Sequence, residues 1–139
     1  MDGSIVDLSK YRLKRAKDDL KTARDNYNEG SYRASVNRSY YAIFHALRAI
    51  TALDHFDSGK HSGIIAYVNQ HYVKTGVFDK SFSKIVDTAF RLREKADYED
   101  FYVVAVEDAR IQIEQAEQMI QSVETYVSVR WQDPDDSQS

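Results

Sequence analysis

The stretch YRASVNRSYYAIFHALRAI, residues 32–50, decides how the chain is read. Val36, Tyr40, Ile43, Leu47 and Ile50 follow one another at steps of three and four, the spacing that keeps one stripe of an α-helix against a partner. On a wheel of about 100° per residue, Arg38 lies opposite that stripe, and His45 returns to within about 20° of Arg38. Ala34, Ala42, Ala49 and Ala52 share their sector, with Tyr41 and Arg48 at its edge. A solvated face would carry Lys, Glu and Gln, whereas alanines admit a neighbouring backbone. The helix is therefore expected to be buried on both sides, one stripe inside its own bundle and the other against a second copy of the chain. A two-fold homodimer through Ala34, Arg38, Ala42, His45 and Ala49 would bring two guanidinium and two imidazole groups to one cleft. From spacing alone a plainer alternative stays open: a hydrogen-bonded core histidine, and an arginine paired with a carboxylate on a neighbouring helix.

Working outward, the same periodicity recurs. Leu13, Ala16, Leu20, Ala23 and Tyr27 precede it; Ile65, Val68 and Tyr72, then Phe82, Ile85, Ala89, Leu92 and Ala96, then Val106, Ala109, Ile113, Ala116, Ile120, Val123 and Val127 follow. Gly30–Ser31, Ser58–Gly59, Gly76 and the acidic run from Asp97 to Asp100 separate these segments, and the single proline, Pro134, lies beyond them. Gly30 is expected to end the first helix in a left-handed conformation, with Ser31, Ser58 and Asp79 as caps. The fold class is all-α: an antiparallel up-and-down bundle of four long helices plus one short helix. Residues 1–8 are expected to be flexible, 9–130 to form one helical domain, and the acidic 131–139 to be a disordered tail.

The 139 residues suit a single domain, and 42% hydrophobic with 29% charged residues is an ordinary globular composition. A net charge of −3 argues against a general electrostatic grip on nucleic acid, so any such contact needs a local basic patch. Without cysteine there is neither a disulfide framework nor a thiolate nucleophile, in keeping with a cytoplasmic protein. No apolar run reaches the roughly 20 residues of a membrane span, and no membrane association is expected. No phosphate-binding glycine loop occurs, and His55 and His61 lack carboxylates at ligand spacing; neither a metal nor a cofactor is expected.

The run at 32–50, followed by KHSG (Lys60–Gly63) and FRLREKADY (Phe90–Tyr98), resembles the HEPN superfamily (higher eukaryotes and prokaryotes nucleotide-binding), in particular its small stand-alone UPF0332-like members. The resemblance covers roughly residues 10–127. It implies a dimerising helical bundle in which Arg38 and His45 are the catalytic arginine and histidine, with Ser39 after the arginine and Asn37 before it. Many members are metal-independent endoribonucleases, often toxins whose antitoxin partner is a minimal nucleotidyltransferase; others are non-catalytic dimers that bind a nucleotide or such a partner. The resemblance thus implies RNA or a nucleotide as ligand. As a nuclease, His45 would move protons and Arg38 would clamp the scissile phosphate, leaving 2′,3′-cyclic phosphate and 5′-OH ends. Tyr41 is a candidate to stack on a base, or else a packing residue; Arg48 a candidate to add positive potential, or else a rim cation. Lys60 and His61 are candidates to approach the site from the start of the third helix, or else a plain helix start. Arg93 and Asp97 read as a structural ion pair beside the second helix.

Overall fold

The computed structural model describes residues 2–132, and every regular element among them is helical. Helices α1 (Asp2–Asn28), α2 (Tyr32–Leu53), α3 (His61–Val68), α4 (Ser81–Tyr98) and α5 (Val106–Trp131) follow in order, α3 running on into a π-helical turn (Asn69–Val73). Cross-helix bonds fix the directions. Ser9 opposite Ala49 and Ser35 opposite Ala23 make α1 and α2 antiparallel. Asn37 opposite Asp97 and Tyr41 opposite Arg93 do the same for α2 and α4. Lys17 opposite Glu124 and Arg24 opposite Glu117 set α5 against α1. The result is the up-and-down bundle expected, with α2 at its centre.

Val36, Tyr40, Ile43, Leu47 and Ile50 are each at most 1% exposed, so the first stripe is core as read. In α3 and α4 the buried stripe turns by one residue: Ile64 and Val86 are buried where Ile65 and Ile85 were expected, and Val106 stays exposed. The alanine face is corrected more deeply. Ala42 and Ala49 are completely buried within the single chain, so they cannot form a dimer surface; only Ala34 of the four is exposed. The physical premise stands, since small residues admit a close helix, but that helix is α1 of the same chain. Ser9 Oγ donates to the Ala49 carbonyl at 2.7 Å, and Ser35 Oγ donates to the Ala23 carbonyl at 2.8 Å.

The ends differ from expectation as well. Residues 1–8 were expected to be flexible, yet α1 begins at Asp2, because Val6 is buried in the core and Ile5 packs against it. Trp131, assigned to the tail, closes α5 and donates its indole N–H to Ser9 Oγ at 2.9 Å. Residues 133–139, the rest of that tail, lie outside the described residues. Gly30 does adopt the left-handed conformation (φ +81°), and Ser31 N–H donates to the Asn26 carbonyl at 2.8 Å. Ser31 makes no side-chain capping bond, whereas Asp79 accepts from the Ser81 N–H at 2.9 Å. At the far end of α2, the Asp54 carboxylate accepts from Tyr67, Tyr72 and Arg130, tying α2, the π-helical turn and α5 together.

Gly63 is required by a close approach. A Cβ there would stand 2.3 Å from Ser58 Oγ and 2.9 Å from Ser58 Cβ. Gly63→Ala is expected to cost about 1–3 kcal/mol, read as a lower urea midpoint. Adding Ser58→Gly should recover part of that loss; no recovery would place the cost elsewhere.

Candidate functional site

The antiparallel register lays one edge of α1 over the charged edge of α2. Arg12 donates to the Arg48 carbonyl (3.3 Å), Arg15 faces His45, and Asp19 faces Arg38. Residues 12, 15 and 19 recur at helical spacing, so the α1 stripe that flanks its core residues supplies half of the site.

Arg38 is held from three sides. Its Nη1 donates to Asp19 Oδ1 at 3.2 Å, its Nε and Nη2 donate to Asn37 Oδ1 at 3.0 and 2.8 Å, and its guanidinium lies 5.0 Å from the Tyr41 ring centre. Asn37 in turn donates to Asp97 Oδ2 (3.0 Å), which also accepts from Arg93 Nε (3.0 Å). Arg93 Nη2 donates to the Tyr41 hydroxyl at 2.9 Å. The Arg93–Asp97 pair is therefore structural, as read, and steadies two of the three groups that hold Arg38, Asn37 and Tyr41. Asn37 does this from the position before the arginine, while Ser39 after it is buried, its Oγ without a hydrogen-bond partner.

His45 has 12% of its side chain exposed, and its Nε2 lies 3.5 Å from Asp19 Oδ2 and 3.5 Å from Arg15 Nη2. A guanidinium only donates and a carboxylate only accepts. The neutral ring with a lone pair at Nε2 therefore answers Arg15, and the protonated ring answers Asp19. Asp19 Oδ2 is buried and has no hydrogen-bond donor, so it is an acceptor awaiting a proton. Burial, then the positive charges of Arg15, Arg48, Arg38 and Arg12, push the His45 pKa down to about 4. Burial raises the Asp19 pKa above its ordinary range, against the opposing pull of Arg38 and Arg15. At neutral pH the site thus holds an uncharged imidazole in a strongly positive field, with a carboxylate placed to receive its charged form.

The remaining sequence candidates divide. Arg48 sits at the same groove, its Nη2 donating to Asp57 Oδ1 at 3.2 Å. Tyr41 is half-buried beside Arg38, His45 and Arg93, its ring centre 6.2 Å from that of His45. His61 turns inward: its Nδ1 is 2.8 Å from the Tyr40 hydroxyl, and its ring stacks on Phe44 at 4.0 Å. Burial lowers its pKa. Lys60 is exposed in the preceding loop, its backbone N–H donating to Ser58 Oγ at 3.2 Å. The structure brings together Arg38, His45, Tyr41 and Arg48, sets His61 behind Tyr41, and leaves Lys60 outside. Arg12, Arg15, Asp19 and Asn37 escaped the sequence reading. The recurrence of 12, 15 and 19 beside the Leu13–Ala16–Leu20 stripe is the signal that was there to find.

Among the described residues no helix is long and apolar enough to cross a membrane. The HEPN domain family model matches residues 9–126. A UPF0332 protein of Thermotoga maritima is 29% identical over 86% of this chain and 91% of its own length. One from Archaeoglobus fulgidus is 28% identical over 83% of this chain and 97% of its own. A Methanocaldococcus jannaschii protein named "Putative toxin MJ0605" is 32% identical over 60% of this chain and 62% of its own. With the family model spanning nearly all of the helical bundle and full-length UPF0332 relatives on either side of it, the chain belongs to the HEPN domain family as one of its small UPF0332-like members.

Proposed function

We propose that this protein is a metal-independent endoribonuclease of the HEPN type, acting as a toxin. The observation that carries the reading is the convergence of the Arg38 guanidinium and the His45 imidazole on one carboxylate, Asp19. Relatives named "Putative toxin" in M. jannaschii support it. His45, neutral at working pH, takes the proton of the ribose 2′-OH. The 2′-oxygen attacks phosphorus, Arg38 holds the charge gathering on the non-bridging oxygens, and the 5′-oxygen leaves with a proton. Asp19 Oδ2 then accepts from the imidazolium. The imidazolium so formed gives that proton on to the leaving 5′-oxygen, and a second copy of the chain completes the cleft. With Ala42 and Ala49 covered by α1, the surface left for that copy is the outer side of Arg38 and Tyr41 with Ala34. Tyr98, Phe101 and Val103, exposed beside Arg93 and Arg33, continue it. The partner expected beyond the dimer is a nucleotidyltransferase antitoxin.

Incubation with mixed RNA in EDTA tests the reading. Fragments ending in 2′,3′-cyclic phosphate and 5′-OH are expected; fragments with 3′-OH and 5′-phosphate would overturn it. A second reading, a non-catalytic dimer that binds a nucleotide or partners a nucleotidyltransferase, is favoured by one observation: Arg38 is already neutralised by Asp19 and doubly held by Asn37. Intact RNA in that assay, with nucleotide binding by calorimetry, would decide for it.

A further inference from the structure

Six of the seven cations of α1 fall into two sets; the seventh, Lys10, lies over the Trp131 ring. Lys14, Lys17, Lys21 and Arg24 pair with Asp18, Glu124, Asp25 and Glu117. Arg12 and Arg15, the two arginines facing α2, make no ion pair among the described residues; they meet the Arg48 carbonyl and His45, with Arg15 also 6.0 Å from the Tyr11 ring centre. Positive charge therefore exceeds negative on the far side of His45 from Arg38: Arg48 pairs there with Asp57, but its Nε is buried and unpartnered and the two α1 arginines have no carboxylate of their own. From Arg38 to Arg48 the groove runs roughly 15 Å along α2, longer than a single phosphodiester needs.

A hollow of about 240 Å³ opens at that end, its lining apolar at Ile5, Leu8, Ala52 and Phe56 and polar at Arg12, His55 and Asp57. It is smaller than the roughly 300–1,000 Å³ clefts that take drug-sized ligands, which suits one flat ring. His55 carries a second anomaly. It follows the α2 terminus with φ +57°, its N–H bonded to the Ala52 carbonyl at 3.2 Å, a position where glycine is the usual and unstrained choice. Residues kept in strained conformations concentrate where they touch ligands.

We propose that the α1–α2 groove beyond His45 is a second nucleotide subsite for single-stranded RNA: Arg12 and Arg15 take the phosphodiester next to the one held by Arg38, and the hollow at His55 takes the attached base. The assignment rests on reading Arg38 as the holder of the scissile phosphate. It lengthens the footprint along one helical hairpin and makes the bound strand run past His45.

The test uses a short fluorescein-labelled 2′-O-methyl oligouridylate, which cannot be cleaved, with anisotropy read across a salt series. Each phosphate contact contributes about 0.7 to the slope of log affinity against log salt for a single strand. Arg12→Gln with Arg15→Gln is expected to lower the slope by about 0.7, the loss of one phosphate, and the exposed Arg15→Gln alone by part of that. Lys14→Gln with Lys21→Gln, which removes paired charges, should leave it unchanged. His55→Gly is expected to raise the thermal midpoint while weakening binding about 5- to 100-fold, the worth of one stacked base. Failure of the wild-type protein to bind the probe, an arginine-variant slope equal to that of the lysine control, or undiminished binding by His55→Gly would overturn the subsite. Because the probe is inert, absence of RNA cleavage by the wild type would remove the nuclease reading and leave these results standing for an RNA-binding groove.

Discussion

His45→Ala is expected to lower RNA cleavage in EDTA by about 100- to 10,000-fold, with helical content by circular dichroism unchanged. The size of the loss follows from the role: proton transfer by a positioned side chain has no ready substitute in a groove whose other groups are arginines, a tyrosine hydroxyl held by Arg93 and a carboxylate held by Arg38, since a guanidinium does not give up its proton at working pH. The preserved fold follows from position. His45 lies at the edge of the α1–α2 seam, and its neighbours Phe44 and Ala46 carry the packing on either side. Cleavage equal to the parent would eliminate His45 as the base, and a collapsed circular dichroism signal would instead make it a structural residue.

Acid should destabilise the protein by way of the same residue. Above about pH 6.5 the imidazole is neutral folded and unfolded, and contributes no pH dependence. As pH falls the unfolded chain takes the proton first, because the folded His45 pKa is pushed down to about 4. Stability therefore declines with acidification through the window from about 6.5 to about 4, by at most about 3 kcal/mol from this one site. His61, also held below its ordinary range by burial, acts in the same direction. Asp19 opposes them: its raised pKa means that the folded chain keeps that proton more tightly, a stabilisation present in acid and lost as pH rises through the folded value. Charges facing His45 come from Arg12, Arg15 and Asp19 on α1 and from Arg38 and Arg48 on α2. Urea midpoints at intervals from pH 7 to pH 4.5 measure the decline, and His45→Gln should flatten it. An equal slope in the variant would mean that His45 titrates normally.

Periodicity revealed the bundle because each long helix writes its buried stripe at steps of three and four, and Gly30 marked a terminus because only a left-handed residue closes that helix. Arg38 and His45 were legible as a pair because they interrupt an alanine face. What covers that face was not legible: alanines invite any helix, and spacing does not say whether it belongs to the same chain. Asp19, Arg12 and Arg15 were hidden for a related reason. In sequence they stand among Lys14, Lys17, Asp18 and Lys21 and look like one solvated charged face; only the register with α2 separates the members that turn inward from those that pair with one another. The start of α1 was missed because Asp2, Gly3, Ser4 and Asp7 dilute its apolar signal, leaving Val6 as the one buried hydrophobic side chain ahead of Leu13 among the described residues.

The facing pairs Arg12 with Arg48, Arg15 with His45 and Asp19 with Arg38 all belong to one hairpin whose connection is only Glu29 to Ser31. Contacts this local close at little entropic cost and favour rapid formation. The reactive cluster is therefore assembled by neighbours in the chain. Arg93 and Asp97 of α4 tighten the same constellation across a longer loop of chain.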